Sequence, residues 1–449
     1  MRGPLSRIAL LIIGISWLCG VFKADIWKRE KFIEGDGLSY YAYLPMTFIK
    51  HDLTLAFLDT KQPSYYDNLW YSTSPIGIKH TKMGAGIALL QAPFFLLAHA
   101  FAKISNWKAD GFSPPYALML CIATVFYAYS GLRLLRNILL KKFGDGTTAL
   151  VLLLIAFGTN LHYYVLYEPF MSHAYSFFLF VFLLKATLGW YAMPSRKGAW
   201  TLGVAAGLIA LTRLPNCLVL LIPLLYGVKN IQELKTSICR WFKNYHLLFA
   251  LLPALFIYGI QLAYYKLISG SFLYYSYQQE HFFFGAPHIV EGLFGFRKGW
   301  FIYTPLMFAA FAGLLFMRKK ASELLVPLII YLPLSIYVVL SWWCWWYGGS
   351  YGMRALIESY ALLAFPLAAL IDRVFAKGFR ALLTSWIIGI GVIWLSLFQT
   401  EQYTKQLITY DSMTFKAYKA VFLHRHAPAN FNELQEHPDY DQAKYENKP

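Results

Sequence analysis

Acidic side chains are scarce in this 449-residue chain, where 23 Asp and Glu stand against 40 Lys and Arg for a net charge of +17. Charge of either sign is scarce as well, at 14% of residues against 58% hydrophobic. A soluble domain carries nearer a quarter charged residues, so the composition excludes one. There are only 5 cysteines, and no two form a CxxC pair. That excludes a thiolate metal site and a disulfide framework, and Cys19, Cys121, Cys217, Cys239 and Cys344 read as small apolar residues. The apolar runs show no strict alternation, which excludes a transmembrane β-barrel. The first run, Leu5 to Phe22, is not followed by a small-residue cleavage site and reads as an anchor rather than a signal peptide.

What the chain does have is a succession of apolar segments, each near the ~20 residues needed to cross a bilayer as a helix. The fold class expected is all-α, a polytopic membrane protein with about 11 transmembrane helices, within a range of about 10 to 13. Basic residues gather in short loops: Arg133 to Lys142, Arg196 to Lys197, Lys229 to Lys243, Arg318 to Lys320 and Arg373 to Arg380. The positive-inside rule places these loops and the N-terminus in the cytoplasm and accounts for the net charge without nucleic acid.

Parity then fixes the path. Residues 5–22 lead out, and 114–135 return to deliver Arg133 inside. The segment 83–103, "MGAGIALLQAPFFLLAHAFAK", lies in the outer half of the bilayer without crossing. Residues 23–113 become one long outer loop carrying interfacial helices. Further spans follow near 148–166, 172–192, 199–212, 215–227, 246–268, 301–317, 323–342, 356–374 and 381–399. Three parts result: a catalytic module over 1–270, further helices with aromatic outer loops over 271–400, and a short polar tail over 401–449.

This threading collects ionisable residues on one face, where a charge at the hydrocarbon edge is costly unless paired or wet. In "EGDG", glycines flank Asp36 beside Glu34, and the acid either caps a helix starting at Tyr40 or presents an accessible carboxylate. "YEPFMSHAY" sets Glu168 and His173 at a turn between spans, as caps, as a contact closing the turn, or as a pair able to hold a divalent metal. Two ligands lack a third and fourth, so no metal is assigned. His80 and Lys82 stand near the end of the first loop. Arg213 in "ALTRLPN", Arg297 and Lys298 in "FGFRKGW", and Arg354 in "YGMR" occupy outer junctions. They either snorkel to headgroups or form a phosphate site, for which arginine's planar fork is suited. The aromatic stretches "GSFLYYSYQQEHFFFGAPH" and "SWWCWWYGGSYGMR" belong partly to the interfacial belt and also suit a sugar or isoprenoid ligand.

An apolar groove with cations and one accessible carboxylate describes a site for a lipid-linked phosphate. The order of "EGDGLSYYAYLP", "KMGAGIALLQAPFF", "YEPFMSHAY", "LTRLPN" and "WWCWWYGGSYGMRALIESYALLAFPLAAL" resembles the GT-C superfamily of integral membrane glycosyltransferases. The likeness is strongest to its protein O-mannosyltransferase and lipid A aminoarabinose transferase branch. The resemblance implies transfer of a hexosyl or pentosyl group from a polyprenyl-phosphate sugar to an extracytoplasmic lipid, glycan or protein acceptor, with inversion. It further implies that Asp36 is the general base with Glu34 its neighbouring alternative, that Lys82 with His80 meets the lipid phosphate, and that Glu168 holds a second acidic position usually occupied by Asp. The setting implied is a bacterial inner membrane.

Two other classes are weighed. A transporter or flippase of an amphiphilic solute would place ionisable groups near the midplane, often in repeated halves, and no such repeat is visible. An O-antigen ligase or polymerase would carry its large outer loop late, whereas here it is early.

Overall fold

A computed structural model describes residues 3–60, 64–243 and 245–448. The protein is an all-α polytopic membrane protein. Among the described residues, 8 helices are long and apolar enough to cross a bilayer, and the apolar helices Asp145–Phe157 and Leu214–Leu225 are shorter. The one sheet described is a hairpin of β1 (Tyr71–Thr73) and β2 (Lys79–Thr81) in the first loop. All five cysteines are free.

The helices that build the bundle and its site begin with α1 (Pro4–Ala24), α2 (Gly35–Tyr41), α3 (Gly86–Ile104), α4 (Pro114–Leu139), α5 (Asp145–Phe157), α6 (Leu161–Leu166), α7 (Ser172–Ala192) and α8 (Arg196–Thr212). They continue with α9 (His246–Ser269), α10 (Ser322–Leu340), α11 (Tyr360–Phe375), α12 (Phe379–Thr404) and α13 (Tyr440–Glu446).

The basic loops meet at one end of the bundle, as their charge requires. Lys142 pairs with Glu323, whose carbonyl accepts from Gly227 N at 3.0 Å, and Lys320 pairs with Asp372 at 3.3 Å. Arg136 donates to Gly3 O at 2.9 Å and brings the N-terminus to the same end. The close pairing of α8 with α9 follows from the "GVAAG" sequence. A Cβ on Gly203 would stand 1.9 Å from Ala250 O, so the two backbones touch where only hydrogen fits between them.

Three expected spans are not continuous helices. The segment 148–166 breaks between α5 and α6 at Gly158 to Asn160. Asn160 Nδ2 donates to Tyr351 O at 2.9 Å and its Oδ1 accepts from the Tyr360 hydroxyl at 2.7 Å, so a distant loop satisfies the interruption. Residues 301–317 divide at Thr304 and Pro305 into Trp300–Tyr303, Leu306–Gly313 and a 3-10 turn. Residues 215–227 form a 3-10 turn leading into Leu221–Leu225. Proline, which cannot donate into a helix, sits at two of these divisions.

The segment 83–103 is a regular 19-residue helix, α3, of sufficient length and hydropathy to span. It pairs antiparallel with α4, where Tyr127 donates to Leu90 O at 2.8 Å and His99 meets Tyr116 with ring centroids 6.0 Å apart, and Gln91 donates to the Tyr175 hydroxyl of α7 at 3.1 Å. Its start abuts the C-terminal end of α8, where a Cβ on Gly86 would fall 2.5 Å from Thr212 N. Helix α3 thus packs between α4 and the C-terminal end of α8.

The tail does not trail free. The Tyr440 hydroxyl donates to Asp411 Oδ2 at 2.8 Å, and Asn447 bonds Ala286 O at 2.9 Å and His288 Nε2 at 3.1 Å. These contacts fold residues 410–447 back over both aromatic loops.

Candidate active site

The "EGDG" stretch starts α2. Gly35 takes φ 54°, a left-handed value open to glycine at little cost, and Gly37 faces Phe170, whose Cβ would lie 3.1 Å from an added methyl. The helix begins at Gly35 rather than Tyr40, so Asp36 lies inside its first turn and caps nothing. Ser39 does not cap either; its hydroxyl donates to Trp70 O at 3.1 Å. The Asp36 carboxylate instead accepts from Arg354 Nη2 at 2.7 Å, with side-chain exposures of 18% and 12%. Arg354 reaches it from the 3-10 turn Arg354–Ser359, which leads directly into α11.

A second cluster stands behind the first. Glu358, buried among apolar residues, accepts from Arg213 Nη1 at 3.3 Å through Oε1, which also lies 3.2 Å from His173 Nδ1. Arg213 is stacked over Tyr347 at 5.9 Å. Lys82 pairs with Glu280, whose second oxygen accepts from Trp343 Nε1 at 3.1 Å. Every cation here therefore has a carboxylate beside it, which offsets the cost of holding it out of bulk water.

Apart from the buried Glu358, these groups border one cavity of about 1290 Å³. Glu34, Asp36 and Lys82 from the first loop share it with Glu168 from the turn before α7, His173 from the first turn of α7, and with Arg213 and Arg354. Another wall is apolar, formed by Leu214 and Pro215, Tyr258 of α9, Phe284, and Val338 of α10. The Glu168 carboxyl is pushed above the ordinary range by burial; the Asp36 charge adds to this and the Arg354 charge opposes it.

Three expected site residues lie elsewhere. His80 is buried, its ring nitrogens meeting Thr81 O at 3.0 Å and the Tyr274 hydroxyl at 2.9 Å, which ties β2 to the 270–288 loop. Lys298 is buried against the carbonyls of Ser350 and Tyr410 and fastens the tail; burial holds its ammonium well below the usual lysine range. Arg297 lies over the Trp346 ring at 5.4 Å and donates to Glu436 O at 3.4 Å. Outer junctions hold cations that face the cavity and cations that do not, so position in the sequence alone does not separate them.

Glu358 is the residue that junctions could not reveal. Its signal is the lone acid inside "ALIESYALLAF", since an ionisable group within an apolar run is itself a marker. Among the described residues, no group of three or more His, Cys, Asp or Glu side chains converges as a metal-binding set.

No protein-family model matches the chain, and no curated protein matches it. Among solved structures it is similar to the apo oligosaccharyltransferase of Archaeoglobus fulgidus, with 11% identity and a TM-score of 0.52, covering 95% of this chain and 59% of that one. It is also similar to ArnT from Cupriavidus metallidurans bound to undecaprenyl phosphate, with 14% identity and a TM-score of 0.53, covering 88% of this chain and 64% of that one. The chain therefore spans 59% and 64% of these neighbours' lengths. At such identities the likeness is one of fold: the chain shares the fold of these two structures.

Proposed function

We propose that this integral membrane protein is an inverting glycosyltransferase, moving a hexosyl or pentosyl group from a polyprenyl-phosphate donor to a hydroxyl of a lipid, glycan or protein acceptor. The observation that carries the reading is the Asp36–Arg354 pair facing the same cavity as Arg213 and Lys82, beside an apolar wall. That wall, between α9 and α10, includes Leu214, which is 57% exposed and would meet hydrocarbon. It suits a polyprenyl chain entering from the bilayer. The likeness in fold to ArnT bound to undecaprenyl phosphate supports such a donor.

In the reaction, the acceptor oxygen attacks the anomeric carbon from the face opposite the lipid phosphate. Its proton passes to the Asp36 carboxylate, the bond between the anomeric carbon and the phosphate oxygen breaks, and the phosphate leaves with the electron pair. One displacement inverts the centre. Arg354 fixes the carboxylate's orientation, and Arg213 and Lys82 meet the charge that grows on the leaving phosphate. General-base catalysis of this kind contributes about 10²- to 10⁴-fold. Because these groups gather at one end of the bundle, the arrangement favours transfer over transport, which calls for ionisable groups at the midplane. The short basic loops at the opposite end support an extracytoplasmic position for these groups, and the bacterial inner membrane is the setting that the family resemblance implies.

The test is incubation of the purified protein with a panel of polyprenyl-phosphate sugars and candidate acceptors, read by mass spectrometry. Released lipid phosphate together with a sugar-bearing acceptor is the expected result; transport of the lipid into vesicles without such release would overturn it.

A further inference from the structure

Beside the main cavity, a smaller recess of about 250 Å³ opens behind Glu168. Tyr167, Glu168, Arg29 and Tyr410 border both spaces, so the two adjoin at a carboxylate. The recess is built from the turn after α1, the α6 region and the end of α12, none of which contributes to the apolar wall.

Its lining differs in kind from that wall. The rings of Tyr163 and Tyr167 stack with centroids 5.7 Å apart, and Tyr403 meets Tyr163 edge-on at 5.0 Å. The recess is also lined by Glu168, whose carboxylate accepts from Tyr163 at 3.5 Å, and by Arg29 and Gln406. Aromatic surface interleaved with donors and acceptors matches the apolar faces and hydroxyl edges of a sugar. It does not match an isoprenoid, which has nothing for these polar groups to bond. Drug-sized ligands occupy pockets of about 300–1,000 Å³, so the recess suits a single ring.

We infer that this tyrosine-lined recess binds the terminal pyranose of a glycan acceptor, delivering its attacking hydroxyl past Glu168 toward Asp36. The assignment of that sugar as the acceptor rests on the proposed transfer reaction; the recess as a saccharide site does not.

The experiment uses the full-length protein in nanodiscs and saturation-transfer NMR, with methyl glucopyranoside, methyl mannopyranoside and methyl galactopyranoside as probes. At least one probe is expected to bind. Tyr403→Ala and Thr404→Phe, at residues that line the recess and not the main cavity, should each weaken it on the order of tenfold, equivalent to about 1.4 kcal/mol. Thr404 is exposed, so its bulkier variant fills the recess without disturbing the fold. In turnover, both variants should raise the KM for the acceptor and leave that for the donor unchanged. Binding of none of the three probes, binding indifferent to both variants, or a rise in the donor KM instead would overturn the inference. If Asp36→Asn transfers at the normal rate while probe binding persists, the transfer mechanism fails and the saccharide site stands.

Discussion

Arg354 donates to Asp36 Oδ2 at 2.7 Å across 318 positions of sequence, joining the first loop to the start of α11. The pair makes the orientation of the proposed base depend on a residue near the opposite end of the chain. Arg354→Gln removes the guanidinium fork while leaving a hydrogen-bonding group. It should lower kcat on the order of 10²-fold, with Arg354→Lys only partly recovered because an ammonium cannot reproduce the fork. Single-turnover kinetics with a saturating donor check this; equal rates for the Lys variant and the wild type would contradict it.

Lys82 tests the assignment of the phosphate site. A charge-assisted hydrogen bond contributes about 1.5–3 kcal/mol. Lys82→Met should therefore lower kcat/KM for the donor by roughly 10- to 100-fold, with the loss falling largely on kcat because the charge it meets grows as the phosphate leaves. Donor titrations at fixed acceptor measure the split between the two constants.

The buried Glu358 is shared by Arg213 and His173. Glu358→Gln leaves the Arg213 charge without its carboxylate, and breaking a buried pair from one side costs about 3–5 kcal/mol. The apparent Tm in detergent should fall, and adding Arg213→Met should restore part of the loss, since the two substitutions share one interaction. A strictly additive double variant would show that the two side chains act separately.

Glu168 gives a pH dependence with a definite sign. Burial raises its carboxyl above the ordinary glutamate value of about 4.3, so the neutral form is favoured in the fold. Its stabilising contribution is full below that ordinary value and is lost as pH rises through the raised one. Glu168→Gln stays neutral throughout. Its Tm should equal the wild type's near pH 4 and exceed it near pH 8, as thermal unfolding across that range would show.

Much of the frame was legible in the sequence because membrane helices follow from local hydropathy and their sidedness from short basic loops. Lys142, Lys320 and Asp372 meet at one end for that reason. The break at Asn160 was less visible, because the groups that hold its side chain, Tyr351 and Tyr360, come from distant segments. At the site, "EGDG" pointed to Asp36 by its flanking glycines, while its partner Arg354 was only one of several junction cations. His80, Arg297 and Lys298 share that signature yet are held by aromatic rings, a tyrosine hydroxyl and backbone carbonyls away from the cavity. Glu358 shows the converse: its role depends on two side chains, Arg213 and His173, that only the folded chain brings to it.

The central claim rests on Asp36, and Asp36→Asn tests it most directly. The substitution keeps the shape and an oxygen for Arg354 but removes the carboxylate. Release of polyprenyl phosphate from a bound sugar donor should fall by about 10²- to 10⁴-fold while donor affinity is kept. Release at a near-normal rate would contradict the assignment of Asp36 as the base.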